Sequence, residues 1–129
     1  MRIRLTSVFV DDQDAARTFY TETLGFVVKH DVPLGGDAWL TLVEPGDEDG
    51  IELLLEPSSH PAVAPYRDAL REDGIPSLVL HVDDLAAEHA RLEAAGVVFT
   101  QPPVDAGTVH VAVLDDTCGN LVQLLQPEG

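Results

Sequence analysis

The feature that most constrains the fold of this chain is an internal repeat. Val8-Phe9-Val10-Asp11-Asp12 recurs, at an offset of 72, as Leu80-His81-Val82-Asp83-Asp84. In each copy an alternating apolar pattern, typical of a strand, leads into an acidic pair that can cap a following helix. The helices are predicted at about 12–24 and 84–95, and a glycine follows each one. A repeat of this length predicts two copies of one structural module.

Three further strands are predicted after the helix in each copy. They lie at about 26–30, 38–43 and 51–56 in the first copy, and at about 97–100, 109–114 and 121–125 in the second. Each copy is therefore a βαβββ module, with turns rich in Asp, Glu and Gly between the later strands. Module one covers about 2–56, a linker with a helix near 62–72 covers about 57–74, and module two covers about 75–127. The pattern predicts a single α+β domain over residues 1–129.

Composition excludes several classes of function. Seven Lys and Arg against 23 Asp and Glu give a formal charge of −16, which repels nucleic-acid backbones. No apolar run approaches the ~20 residues of a membrane span, and the N-terminus lacks the apolar segment of a secretory signal. Cys118 is the only cysteine, which excludes an intrachain disulfide. We expect a cytoplasmic protein that does not bind nucleic acid or membranes.

Two segments carry a resemblance to a known family. Phe9-Val10-Asp11-Asp12, the Phe19-Tyr20 pair and Leu24-Gly25-Phe26 resemble the opening of vicinal-oxygen-chelate proteins, which include glyoxalases, bleomycin resistance proteins and extradiol dioxygenases. Asp115–Gln123 is similar to the closing Asp-Pro-x-Gly-Asn strand of that family, with Asp116-Thr117 where Asp-Pro is commoner. The resemblance covers about 3–126. It implies that the modules form a curved, cup-like mixed sheet with helices outside, that a small molecule binds in the cup, and that the protein is a homodimer.

Strand alternation predicts which side chains face this cup. Glu52 is the candidate catalytic residue, as a proton acceptor in an apolar-walled cavity. Trp39 is the only tryptophan and could stack on a flat ligand or pack in the core. His110 is assigned to the cup as the repeat partner of Trp39, at an offset of 71. The full set of candidate ligand-binding residues is Ser7, Phe9, Trp39, Thr41, Ser77, His81, His110 and Gln123. His30, His60 and His89 are less promising.

The resemblance also places the metal ligands of the family's enzymes at four positions of this chain. These positions are Leu5, Glu52, Ser77 and Gln123. Only the carboxylate is a strong ligand, because leucine has no donor atom and the hydroxyl and amide oxygens are weak neutral donors. We therefore expect no family-type metal and no other cofactor.

Three functions remain open from the sequence. The first is a glyoxalase- or bleomycin-resistance-like protein that binds a small molecule without a metal. The second is a lyase, isomerase or dioxygenase-type enzyme with a rearranged metal or acid–base site, built on Glu52 with His81 or His110. The third is a structural or regulatory domain that binds no ligand.

Overall fold

The computed structural model describes residues 1–128, which form parts of two compact units, Met1–Ala64 and Pro65–Gly129. Each unit contains one four-stranded sheet, so the predicted α+β class and the paired βαβββ modules are confirmed. Within the described residues no helix is both long and apolar enough to cross a membrane.

The first unit contains one sheet and one short helix. The elements are β1 (Leu5–Val10), α1 (Gln13–Thr18), a π-helical turn (Phe19–Thr23), β2 (Val27–Leu34), β3 (Asp37–Val43) and β4 (Glu52–Pro57). The strand order is β1-β4-β3-β2. The β1–β4 pair is parallel and the other two pairs are antiparallel, as expected when a helical crossover follows the first strand.

The second unit repeats this order after a linker helix, α2 (Val63–Glu72), which begins at the end of the first unit. Its elements are β5 (Leu78–His81), α3 (Leu85–Ala94), β6 (Phe99–Asp105), β7 (Val109–Asp115) and β8 (Leu121–Pro127). The strand order is β5-β8-β7-β6, with β5 and β8 parallel. The two sheets therefore share one topology.

Both acidic pairs cap helices as predicted. The second aspartate of each pair is the capping residue. Asp12 Oδ1 accepts hydrogen bonds from the backbone amides of Asp14 (2.9 Å) and Ala15 (3.1 Å). Asp84 Oδ1 accepts one from the amide of Ala87 (3.0 Å). These bonds satisfy amides of the first turn that have no partner within the helix.

The first predicted helix, about 12–24, is not α-helical throughout. Its second half is a π-helical turn, in which the amide of Leu24 donates to the carbonyl of Phe19 (3.0 Å). The Thr21 hydroxyl donates to the carbonyl of Arg17 (2.7 Å) and so competes for a backbone acceptor of the α-helical pattern. The wider turn contains the fully buried ring of Tyr20.

Two strands are longer than the sequence predicts. The strand predicted at 26–30 extends to Leu34, so most of the segment 31–37, which we expect to be a loop, is part of a β-hairpin. Gly35, with φ of +64°, makes the turn into β3. The strand predicted at 97–100 covers Phe99–Asp105 and contains two prolines, which an edge strand tolerates.

Candidate functional site

One face of the sheet in the first unit is covered by α1. Val8 and Val10 point to this face and are 3% and 0% exposed. Asp31 of β2 also lies on it, because its side chain forms an ion pair with Arg17 of α1. The core under α1 is completed by the buried side chains of Ala16, Phe19, Tyr20, Leu40, Leu42, Leu53 and Leu55.

We call the opposite face of this sheet the distal face of unit one. The strand register defines its central row, because directly paired residues point to the same side. This row crosses all four strands as Ser7, Leu54, Thr41 and His30. The pairs Leu5–Glu52, Phe9–Glu56 and Trp39–Val32 lie beside it. The candidates of the first module, Ser7, Phe9, Trp39, Thr41 and Glu52, therefore share one face.

Glu52 is held in place on this face by two neighbours. The Thr41 hydroxyl donates a 2.8 Å hydrogen bond to Glu52 Oε1. His30 Nε2 lies 3.7 Å from the same oxygen, which is within ion-pair distance when the imidazole is protonated. Thr41 is 0% exposed, whereas the side chain of Glu52 is 21% exposed. A buried donor thus orients a carboxylate that solvent or a ligand can still reach.

Sequence reasoning missed His30, which the structure brings to Glu52. Plain alternation from Val28 assigns His30 to the helix-covered face. A bulge interrupts β2, however, so that Val28 pairs with Leu42 whereas His30 pairs with Thr41. The extra residue, Lys29, reverses the alternation from that point. A bulge of this kind leaves no clear signal in one sequence.

Two aromatic residues on the distal face of unit one remain accessible. Trp39 is 39% exposed and Phe9 is 37% exposed, although large aromatic side chains are usually well buried. Trp39 precedes Thr41 by two residues on β3, so the two side chains are about 7 Å apart along the strand. This face therefore combines an oriented carboxylate with exposed aromatic surface.

The corresponding distal face of unit two is uncharged along its central row. The register runs through Val79, Gln123, Val113 and Gln101. His81 shares this face, because it pairs with Leu125, which in turn pairs with Val111. Ser77 precedes β5, and its amide donates to the carbonyl of Leu121 (2.9 Å). His81 and Gln123 thus belong to one surface, and alternation from Val79 predicts the same side for Ser77.

The assignment of His110 to the same surface is wrong. His110 pairs with Gln126, whose Oε1 accepts a 2.8 Å hydrogen bond from the amide of Leu85 at the start of α3. His110 therefore lies on the helix-covered face, beside a hollow of about 350 Å³, with Nε2 3.2 Å from Glu128 Oε1. The error comes from matching the two copies with an offset of 71. With the offset of 72 that relates the first strands, the repeat partner of Trp39 is Val111. A shift of one residue along a strand moves the side chain to the other face.

A charged pair lies at the end of β7. Arg71 Nη2 of α2 donates to Asp115 Oδ2 (2.5 Å), and the amide of Thr117 donates to Oδ1 (2.8 Å). Burial alone would raise the pKa of Asp115, but these two hydrogen bonds outweigh it and hold the pKa of that carboxyl below its usual value. The hydrogen bond with Asp115 likewise raises the pKa of Arg71. Arg71 also lines a cavity of about 250 Å³ with Gln101, Val113 and Leu121.

The residues at the four metal positions do not fit a transition metal. In unit one Leu5 pairs directly with Glu52 and offers no donor atom. In unit two Ser77 and Gln123 are neutral oxygen donors, and Gln123 pairs with Val79 rather than with Ser77. Among residues 1–128, no group of three or more His, Cys, Asp or Glu side chains is arranged to hold a metal ion. The donor set is too poor for the three or four strong ligands that zinc and related metals require.

Comparisons with known proteins agree with this architecture. The chain is 52% identical to YurT of Bacillus subtilis (strain 168), over 98% of this chain and 99% of that protein. The crystal structure of UcmS2 superposes with a TM-score of 0.82 at 35% identity, covering 97% of both chains. TnmS3, an antibiotic binding protein from Streptomyces sp. CB03234, superposes with a TM-score of 0.78 at 30% identity, covering 99% of this chain and 97% of that one.

A family model also matches residues 2–124, which is nearly the whole chain. This match agrees with the duplicated βαβββ topology and with the resemblance of the opening and closing segments. The chain belongs to the Glyoxalase/Bleomycin resistance protein/Dioxygenase superfamily.

Proposed function

We propose that this protein binds a small organic molecule on the distal face of unit one and does so without a family-type metal. The observation that carries the proposal is the arrangement around Glu52. A carboxylate oriented by Thr41 lies on the same sheet face as the exposed rings of Trp39 and Phe9. Apolar surface with a few fixed polar groups is the usual composition of a ligand site.

The comparisons support the same function. TnmS3 is an antibiotic binding protein, and this chain matches it over nearly its full length. A sequestering protein needs affinity and no catalytic metal, which is consistent with the absence of a strong metal ligand at Leu5, Ser77 and Gln123. On unit two, Ser77, His81 and Gln123 remain predicted ligand-binding residues.

The test uses the fluorescence of Trp39, the only tryptophan in the chain. We expect at least one compound in a library of metabolites and antibiotics to change this emission saturably. The same compound should bind at least tenfold more weakly to Trp39→Leu in calorimetry, whereas His110→Ala should bind it as the wild type does. If no compound in the library changes the Trp39 emission saturably, the result would favour the third function, a domain that binds no ligand.

A second candidate function is proton-transfer catalysis of the isomerase or lyase kind. The contact between His30 and Glu52 favours it, because a carboxylate beside an imidazole can accept and pass on a proton. The partner of Glu52 in this version is His30 rather than His81 or His110. Turnover of thiohemiacetals or epimerisable thioesters that disappears in Glu52→Gln would support this function, and unchanged turnover in that variant would exclude it.

The homodimer implied by the family resemblance is also part of the proposal. Light scattering is expected to give twice the mass of one chain at micromolar concentration. A mass equal to that of one chain would exclude a stable dimer.

A further inference from the structure

We infer that the ligand of the distal face of unit one is a flat, neutral or cationic aromatic molecule that donates a hydrogen bond to Glu52. This inference rests on the proposed function and specifies its ligand. Three features carry it: the direction in which Glu52 is held, the spacing between Glu52 and Trp39, and the charge of the surrounding face.

The contacts of Glu52 involve only one of its two oxygens. Thr41 Oγ1 and His30 Nε2 both approach Oε1. Among residues 1–128 no hydrogen bond or ion pair reaches Oε2, and the side chain is partly exposed. A carboxylate accepts hydrogen bonds and donates none, so the matching ligand group is a hydroxyl, an amide N–H or an ammonium group. The buried hydroxyl of Thr41 fixes this acceptor before the ligand arrives.

The spacing on β3 sets the shape of the ligand. Trp39 lies two residues before Thr41, whose hydroxyl holds Glu52, so the Cα atoms of Trp39 and Thr41 are about 7 Å apart along the strand and both side chains point to the same face. A fused bicyclic aromatic system can stack on the indole and still present a substituent to the carboxylate. Val32, paired with Trp39 and 49% exposed, extends the apolar surface to the neighbouring strand.

The charge of the face disfavours anionic ligands. Glu52 and Glu56 both lie on it, and the chain as a whole carries a formal charge of −16. The cations nearest to the strands of this face are engaged elsewhere. Arg4, just before β1, donates to the carbonyl of Asp49, Arg17 pairs with Asp31 on the covered face, and Lys29 Nζ donates to the carbonyl of Glu48. A ligand carboxylate would therefore meet like charge without a counter-ion from these three residues.

The second unit lacks a free carboxylate oxygen of this kind. Its central row offers the amides of Gln123 and Gln101, which are weaker acceptors than a carboxylate. Asp115 shares the face with Val113, but both of its oxygens already accept hydrogen bonds, from Thr117 and Arg71. We therefore expect the preference for ligands that donate a hydrogen bond to come from the first unit.

The test compares three matched bicyclic probes, 6-hydroxyquinoline, 6-methoxyquinoline and quinoline-6-carboxylate. The readout is the NMR shift of the single indole N–H, that of Trp39, titrated at pH 7.5. We expect the hydroxyl compound to bind about tenfold more tightly than the methoxy compound, because hydrogen bonds to a charged acceptor are the stronger class. The carboxylate compound should give no saturable shift.

Variants of two glutamates locate the effect. In Glu52→Gln the preference for the hydroxyl compound should fall to twofold or less, while the amide oxygen can still accept from Thr41 and preserve the fold. Glu44→Gln makes the same charge change at an exposed position after β3 and should keep the tenfold preference. The spectrum of each variant also reports whether it is folded.

The possible failures are distinguishable. Equal binding of the hydroxyl and methoxy compounds to the wild type would overturn the inference and leave ligand binding itself intact. Tight binding of the carboxylate compound, or a preference that survives in Glu52→Gln, would also overturn it. If none of the three probes moves the Trp39 signal, the ligand class is wrong, whereas the proposed function fails only with the complete metabolite library.

Discussion

Gln13 and Ala38 exchange two hydrogen bonds. The amide of Ala38 donates to Gln13 Oε1 (3.0 Å), and Gln13 Nε2 donates to the carbonyl of Ala38 (2.9 Å). The same Nε2 also donates to the carbonyl of Leu55 in β4 (2.8 Å). The β3–β4 register itself contains only the pairs at Thr41 and Leu42, so this side chain from α1 bridges two strands beyond their paired segment.

Replacing Gln13 by Met should destabilise the protein by about 1–3 kcal/mol. Methionine has a similar size but leaves these part-buried backbone groups without partners, and an unsatisfied buried group costs more than the hydrogen bond was worth. The free energy of unfolding in urea measures the effect. Gln123→Met is the matched control, because no hydrogen bond to the Gln123 side chain occurs among residues 1–128. Equal losses in the two variants would mean that the bridge contributes no stability.

The duplicated topology could be predicted from sequence because its signals are local and repeated. Asp12 and Asp84 each follow an alternating strand and cap a helix, and both positions can be recognised in the sequence. The extent of β2 could not be predicted in this way. Residues 31–34 are exposed and contain a proline, which resembles a loop, but backbone pairing with β3 makes them a strand. Pairing of this kind depends on the partner strand and not on the residues themselves.

Gly119→Ala should be more costly than Gly25→Ala. Both glycines have positive φ, +102° and +97°, so alanine is strained at either site by about 1–3 kcal/mol. A Cβ at 119 would also lie 2.6 Å from Arg67 Cζ, whereas nothing lies within 4 Å of one at 25. Arg67 is 6% exposed, so its guanidinium has little room to move. The additional loss at Gly119 should be about 1–3 kcal/mol in urea unfolding, and identical losses would show that Arg67 moves freely.

Lowering the pH should remove the contribution of the Asp115 carboxylate to the free energy of unfolding. Its pKa is lowered in the folded protein, so its contribution is present above the usual aspartate pKa and disappears as pH falls through the lower folded value. The urea midpoint of Asp115→Asn should therefore lie below that of the wild type at pH 7, and the two should converge below about pH 4.

Asp105→Asn is the matched control for this measurement. Asp105 Oδ1 also accepts from the amide two residues later, that of Gly107, just as Asp115 accepts from Thr117. The second carboxyl oxygen of Asp115 also accepts from Arg71. The difference between the effects of Asp115→Asn and Asp105→Asn therefore measures the contribution of the contact with Arg71. A difference between wild type and Asp115→Asn that stays constant from pH 7 to pH 3 would contradict a role for the carboxylate charge.

The candidate site shows where sequence reasoning ends. Simple alternation predicts that Ser7, Trp39, Thr41 and Glu52 share one face, and the strand register agrees because β1, β3 and β4 are regular over these residues. Applied to β2, the same rule gives the wrong face for His30, where an extra residue enters the strand. Since side-chain direction has a period of two, a single bulge or a single-residue error in offset exchanges the faces completely. Regular strands can be assigned from sequence, but the positions of bulges require coordinates.

Metal content provides the last test. Glu52 Oε1 and His30 Nε2 are 3.7 Å apart, and Leu5 beside them has no donor atom. Among residues 1–128 no third His, Cys, Asp or Glu side chain is placed to complete a metal site with them. Catalytic zinc sites use three protein ligands, so two donors should not hold the ion through purification. We expect far less than one transition-metal ion per chain by elemental analysis, even after incubation with excess zinc or nickel followed by gel filtration. One ion per chain that is lost in Glu52→Gln would show that other side chains complete a metal site, and the function would then have to be sought among the metal-dependent enzymes of the superfamily.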